Sequence, residues 1–184
     1  MKLLCVYCSS SHEVAEQYHL HAQQVGEMIA AKHWGLVYGG GKNGLMGAVA
    51  RGVKSAGGHV VGIIPHFMID RELAFREANE LLKVDTMSER KLAMIKRADA
   101  FIALPGGIGT LEEIAEVITL KYLGKVHKPI VFYNQNGFYD DLLKFFDRMA
   151  KERFRKTEGI FSVANTLQEI WPLIENDVPY KTAW

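Results

Sequence analysis

Two glycine-rich turns, an arginine–lysine pair and one glutamate carry the chemistry open to this sequence. The first turn is Gly39-Gly40-Gly41-Lys42-Asn43-Gly44-Leu45-Met46-Gly47; it follows an apolar run and opens a helical pattern. Glycine lets backbone approach a ligand closely. A helix N-terminus adds free N–H groups and a partial positive charge that attract an anion. Gly39, Gly41 and Gly44 match the dinucleotide fingerprint G-x-G-x-x-G literally. The context disagrees, because the turn follows the second apolar run. The run ending near Ile64 also leads into Pro65-His66, with no acidic residue to hold a ribose. The turn therefore reads as a phosphate or substrate loop, or as glycines needed only for tight turning and packing.

The second turn is Pro105-Gly106-Gly107-Ile108-Gly109-Thr110-Leu111-Glu112-Glu113, after the most apolar run of the chain. Three glycines before a hydroxyl residue make a good anion cradle. The G-K-[ST] ending of a P-loop is missing. Thr110-x-x-Glu113 matches a capping box, which would leave both residues with a purely local task. Its location suggests more: a carboxylate one turn from a phosphate cradle stands about a ribose length from the phosphate.

Arg90 and Lys91 fall in the first turn of a third helical pattern, with Ser88 as the expected N-cap and Glu89 suited to that end. Cations there oppose the helix dipole. Either the pair is a solvated surface feature, or an anionic ligand offsets the repulsion, with arginine able to grip phosphate bidentately.

These groups must be positioned by a framework. Apolar strand-like runs at 2–8, Gly35 to Tyr38, His59 to Ile64 (stopped by Pro65), Leu81 to Val84, Ala100 to Leu104, Pro129 to Tyr133 and 160–164 alternate with helical patterns. The helices are expected at 14–31, 44–56, 88–98, Thr110 to Leu123, 139–151 and 167–175. In the first of them Tyr18, Ala22, Val25 and Ile29 recur at helical spacing. Continuous apolar strands separated by helices imply a Rossmann-like, doubly wound parallel α/β sheet with helices on both faces. Such sheets bind ligands beyond the carboxyl ends of their strands, where strand order reverses. The cluster Val117, Ile118, Leu120, Tyr122 and Leu123 reads as core or as a subunit interface, with core the default.

The chain has 184 residues, 48% of them apolar and 23% charged, which fits one domain over 1–184 with one sizeable core. A formal net charge of +1 argues against nucleic acid or an anionic membrane as partner. Cys5 and Cys8 lie in an apolar strand-like run without further cysteines, so they read as buried core thiols, not a redox pair or half a zinc site. That usage suits a reducing compartment. Met1-Lys2-Leu3-Leu4 leads straight into the strand with no signal-peptide pattern, and no apolar run approaches a membrane span. Cytoplasm is the expected location. The seven histidines are scattered, and no metal ligand set emerges.

Tyr38-Gly39-Gly40-Gly41, Gly44-Leu45-Met46-Gly47, Met87-x-x-Arg90-Lys91 and Pro105-Gly106-Gly107-x-Gly109-Thr110-x-x-Glu113 resemble, in this order, the Lonely Guy family of cytokinin riboside 5′-monophosphate phosphoribohydrolases. Gly137-Phe138-Tyr139-Asp140 and Leu142-Leu143 look like that family's later segment, and the resemblance spans about residues 3–175. It implies a seven-stranded Rossmann-like sheet and a homodimer, or higher homo-oligomer, with sites near the subunit interface. It also implies a small-molecule nucleoside 5′-monophosphate as substrate, with no cofactor or metal. Arg90 and Glu113 match the catalytic pair. Glu72, Lys91, Gly107, Ile108, Gly109, Thr110, Leu111, Glu112 and Thr119 match positions that bind substrate; Gly106, Gly40 and Gly41 join them as candidate substrate contacts from the two glycine-rich turns. Some members carry an old lysine decarboxylase label, for which this sequence offers no support. Ser9 stands where many members have glycine, and Phe75 where a histidine is frequent; the second bears on the base pocket.

Cleaving an N-glycosidic bond builds positive charge on the ribose, which an ionised carboxylate such as Glu113 can stabilise while it orients or deprotonates water. Phosphate held at Gly106 to Thr110 would position the sugar. Arg90 is left to hold phosphate or ribose, or to help the leaving base. Competing readings are a general AMP or nucleoside-monophosphate nucleosidase, a nucleotide or cofactor carrier on the same scaffold and, weakest, an NAD oxidoreductase.

Overall fold

A computed structural model describes residues 1–70, 73–154 and 158–180. Seven strands, β1 (Leu3–Tyr7), β2 (Gly35–Tyr38), β3 (Val60–Pro65), β4 (Glu80–Val84), β5 (Ala100–Ala103), β6 (Ile130–Tyr133) and β7 (Ser162–Ala164), form one sheet in the order β4-β3-β2-β1-β5-β6-β7. Every pairing is parallel. Six helices accompany them: α1 (Glu16–Ala31), α2 (Gly44–Ser55), α3 (Met87–Arg97), α4 (Ile108–Tyr122), α5 (Asp140–Lys151) and α6 (Leu167–Glu175).

Strand alternation decides which helix covers which face. Leu4 and Val6 of β1 join a core layer with Val25 and Ile29 of α1, Val49 and Val53 of α2, and Trp171 of α6. Cys5 and Tyr7 face the other layer, with Met94 of α3 and Ile114 and Val117 of α4. Period-2 strands buried on both sides account for the continuous apolar runs. Of the apolar cluster on α4, Val117 is fully buried, Ile118 and Leu120 pack against this layer, and Leu123 is 44% exposed, so core is its main role.

Three local expectations are corrected. Strand β3 runs through Pro65, which pairs with Val84; its extended φ of −67° and ψ of 143° suit a terminal strand position that needs no N–H. The α3 cap is Thr86, not Ser88: Thr86 Oγ1 accepts the Glu89 N–H (3.1 Å) while Glu89 Oε2 accepts the Asp85 N–H (2.9 Å). Helix α4 begins at Ile108 with Gly107 as its N-cap, so Thr110 lies inside the first turn and forms no capping box.

Sequence order reverses between β1 and β5, where Val6 pairs with Ile102 and Tyr7 with Ala103. The crevice beyond these two strand ends is the place where a doubly wound sheet binds its ligand. The chain leaving β1 (8–11) and the chain leaving β5 (104–107) enter it side by side.

Candidate active site

The two glycine-rich turns end in helices, but only one helix tip faces open space. At the α2 tip the Leu45 and Met46 N–H groups both donate to the Ser9 carbonyl (3.0 and 3.3 Å), and Gly47 N–H donates to Asn43 (3.0 Å). The segment after β1 thus occupies the anion position with its own backbone. At the α4 tip the first intrahelical bond runs from Leu111 N–H to Gly107 O (3.1 Å). The N–H groups of Ile108, Gly109 and Thr110 therefore stand outside the helix ladder. They border a cavity of about 340 Å³.

That cavity is walled by Cys8, Ser9, Ser10 and Ser11 after β1, by Met46, Met68 and Met87, by Arg90, and by Gly107, Ile108, Gly109, Thr110, Glu112 and Glu113. Ser9 joins both turns, since its N–H also donates to Pro105 O (3.3 Å). Thr110 is buried, with its hydroxyl against Gly106, where a Cβ would stand 2.1 Å from Oγ1.

Arg90 is not a solvated surface cation. It is 4% exposed. Its Nη2 donates to Gly39 O (2.6 Å) and its Nε to Ile63 O (3.1 Å), while Nη1 lies 3.7 Å from Met68 Sδ and 3.9 Å from Met87 Sδ. A carbonyl oxygen just past β2 and another within β3 thus offset the unfavourable helix-end position. Gly39 has to be glycine for this: a Cβ there would sit 2.1 Å from Arg90 Nη2.

Lys91 points instead to the rim, where it pairs with Glu112 and, at 3.0 Å, with Glu116. The hydrogen bond to Glu112 leads the effects that hold its ammonium above the usual lysine range. The pair ties α3 to α4 beside the cavity mouth. Burial pushes the Cys5 thiol far above its usual range, whereas Cys8, buried as expected, also reaches the cavity wall.

The structure brings together Arg90, Gly107, Ile108, Gly109, Thr110, Glu112 and Glu113. Gly106 adjoins this group behind Thr110. Leu111 and Lys91 lie beside the cavity without lining it. Gly40 and Gly41 lie behind it: Gly40 O accepts the Phe75 N–H (2.8 Å) and Gly41 bridges Ala74. Thr119 is exposed further along α4, its hydroxyl donating to Ala115 O (2.8 Å). Glu72 lies outside the described residues. Phe75 is buried in the same core layer as Tyr38 and is not among the residues that line the cavity.

Sequence reasoning missed Ser10, Ser11, Met46, Met68 and Met87. The signal for the two serines was their place directly after β1, next to the reversal of strand order. Met46 and Met87 fell inside the motif segments quoted above without being read as site residues, and nothing local marks Met68; three separate segments deliver the three side chains.

A family model described as "Possible lysine decarboxylase" matches residues 46–174. The chain is 43% identical to probable cytokinin riboside 5′-monophosphate phosphoribohydrolase LOGL5 of Oryza sativa subsp. japonica, over 96% of this chain and 72% of that protein. It is 42% identical to cytokinin riboside 5′-monophosphate phosphoribohydrolase LOG2 of Arabidopsis thaliana, over 96% and 84% respectively. Among solved structures, a structural-genomics target determined by X-ray crystallography superimposes with a TM-score of 0.74 at 25% identity, covering 95% of this chain and 99% of the other. The molybdenum cofactor carrier protein of Chlamydomonas reinhardtii, with a TM-score of 0.73 at 22% identity over 95% and 99%, shares the fold.

Proposed function

The chain belongs to the family of cytokinin riboside 5′-monophosphate phosphoribohydrolases, and from that premise we propose that it hydrolyses the N-glycosidic bond of such nucleotides to free base and ribose 5-phosphate. The observation that carries the reading is the open α4 tip with Glu113 one turn further along the same helix, both at one cavity. The 5′-phosphate sits on the N–H groups of Ile108, Gly109 and Thr110, where the helix dipole favours an anion. Glu113 follows the donors by three to five residues, about 5–8 Å along the helix axis. That separation suits a ribose between phosphate and carboxylate.

In the reaction the bond between C1′ and the base nitrogen breaks and its electron pair leaves with the base. Water supplies the oxygen that bonds to C1′, and its protons end on the base and the new hydroxyl. Glu113 stabilises the positive charge on the ribose and takes the proton from water. Arg90, anchored by two backbone carbonyls, presents Nη1 among the methionine sulfurs and holds the nucleotide for departure of the base.

We place the enzyme in the cytoplasm as a homodimer. Two free buried cysteines fit a reducing compartment. No described helix is long and apolar enough to cross a membrane. The outer face of α4 presents Leu111, Ala115 and Thr119 at helical spacing, with Leu92 of α3 half exposed next to Lys91 in sequence. A second copy packed on this face brings Thr119 close to a site that it cannot reach within its own subunit.

The test is base release from isopentenyladenosine monophosphate, AMP, GMP and CMP by purified protein, followed by chromatography. Free base and ribose 5-phosphate should appear in equal amounts, fastest from the prenylated nucleotide. Equal rates on AMP would make it a general nucleosidase; tight nucleotide binding without release would make it a carrier.

A further inference from the structure

The segment Gly137-Phe138-Tyr139-Asp140 contributes nothing to the cavity wall, yet its tyrosine reaches the peptide from which the α4 tip hangs. Tyr139 is 5% exposed and immediately precedes α5. Its hydroxyl donates to the Leu104 carbonyl at 2.6 Å. Leu104 is the first residue past β5; its N–H still bonds Tyr7 O (2.9 Å), but its carbonyl lies beyond the last β5–β6 pair, Ala103 with Phe132. One residue later Pro105 O accepts the Ser9 N–H, and two residues after that Gly107 caps the helix. Two successive carbonyls leading into the helix tip are thus each held by a donor from a different part of the fold.

The tyrosine is itself fixed from several sides. Its N–H donates to Asn134 Oδ1 (2.7 Å), and Asn134 Nδ2 donates to Asp140 Oδ1 (2.8 Å) and Asn165 Oδ1 (3.2 Å). Its ring stands edge-on to Phe132 with centroids 5.0 Å apart. Burial holds the hydroxyl well above the ordinary tyrosine range, so it remains a donor throughout working pH. If packing were the only task, a phenyl ring would serve as well.

We infer that Tyr139 is a positioning residue for phosphate recognition, its hydroxyl setting the direction in which the chain leaves β5 and so the aim of the Ile108, Gly109 and Thr110 N–H groups. This rests on the reading of that helix tip as the 5′-phosphate seat.

Tyr139→Phe separates the roles, because it keeps the ring and deletes one donor. The probes are ribose 5-phosphate and adenine as product inhibitors of AMP hydrolysis. The variant should fold normally by circular dichroism, with the inhibition constant of ribose 5-phosphate and the KM for AMP raised about tenfold, the scale of one buried hydrogen bond. The constant for adenine and kcat should stay within about twofold, well below that scale. Unchanged constants, or an equal loss for both products, would overturn the inference. Should Tyr139→Phe not fold, Asn134→Ser releases the Tyr139 N–H while keeping the hydroxyl, and the same selective rise is required of it. Wild-type protein that releases no base and ignores ribose 5-phosphate would remove the phosphate seat itself, an outcome distinct from a normal wild type with an indifferent variant.

Discussion

Arg90 Nη2 donates to the Gly39 carbonyl oxygen across 2.6 Å, so the cation brought by α3 is anchored in the turn that precedes α2. The two features looked independent in sequence, one a glycine-rich loop and the other a charge at an unfavourable helix end. In space the first is the socket of the second. The first glycine turn shapes the cavity by holding Arg90, while the second presents the N–H groups of its helix tip to the same cavity.

Gly39→Ala should therefore behave as an arginine mutation at a distance. The new methyl group would stand 2.1 Å from Arg90 Nη2 and force the guanidinium off its carbonyl. We expect kcat/KM to fall on the order of a hundredfold, a misplacement effect, with Arg90→Lys similarly impaired because it cannot keep both carbonyl bonds. Steady-state kinetics on AMP check this; Gly39→Ala at full activity would show that the anchor is dispensable.

Glu113→Gln preserves size and removes the charge. On the order of a thousandfold should be lost from kcat, with KM nearly unchanged, if the carboxylate acts on the charge that develops in the transition state. Single-turnover base release is the measurement, and full turnover by the variant would reduce Glu113 to a bystander.

The glycines of the second turn should split into two groups. A Cβ on Gly106 meets Thr110 Oγ1 at 2.1 Å, whereas one on Gly107 or Gly109 meets nothing within 4 Å. Gly106→Ala should lower stability by about 1–3 kcal/mol through overpacking. Gly109→Ala should melt no lower than wild type, because alanine is the better helix former, yet KM for the nucleotide should rise about tenfold if phosphate approaches that backbone closely. Thermal melts paired with KM values decide the matter.

Lys121 is fully buried on α4 and pairs with Asp177, its Nζ 3.2 and 3.1 Å from the two carboxylate oxygens. Removing one partner leaves an uncompensated charge. Lys121→Ala or Asp177→Ala should each cost about 3–5 kcal/mol in urea unfolding, while the double change Lys121→Met with Asp177→Leu should recover most of that loss. Equal losses in the single and double variants would count against the pair.

Glu80 links β4 to its neighbours through Arg97 (2.7 Å) and His59 (3.2 Å), and the Arg97 hydrogen bond leads the effects that hold its carboxyl below the ordinary 4.5. A depressed carboxyl stabilises the fold above its unfolded pKa, and that contribution disappears as pH falls through the folded value. Glu80→Gln should thus melt slightly below wild type at neutral pH, by under about 1 kcal/mol for so exposed a carboxylate. The gap should close well below pH 4.5. A gap independent of pH would mean that the charge is not what matters.

Much of this was legible in the sequence. Apolar runs of strand length separated by amphipathic stretches determine a parallel sheet with two covered faces, because local hydrophobic periodicity is written residue by residue. The glycine turns, Arg90 and Glu113 were legible for the same reason, as types and spacings within short segments. Whether a helix tip is open or filled was not legible. Ser9 closes the α2 tip and leaves the α4 tip to the cavity, and that depends on how β1 and β5 lie side by side at the reversal of strand order. Thr110 and Glu113 matched a capping box on paper, yet the helix starts earlier because the extended backbone of Gly107 caps it. Met46, Met68 and Met87 meet at one cavity only when the start of α2, the short turn after β3 and the start of α3 converge. Contacts between residues far apart in the chain are set by packing of whole elements, which no local spacing encodes.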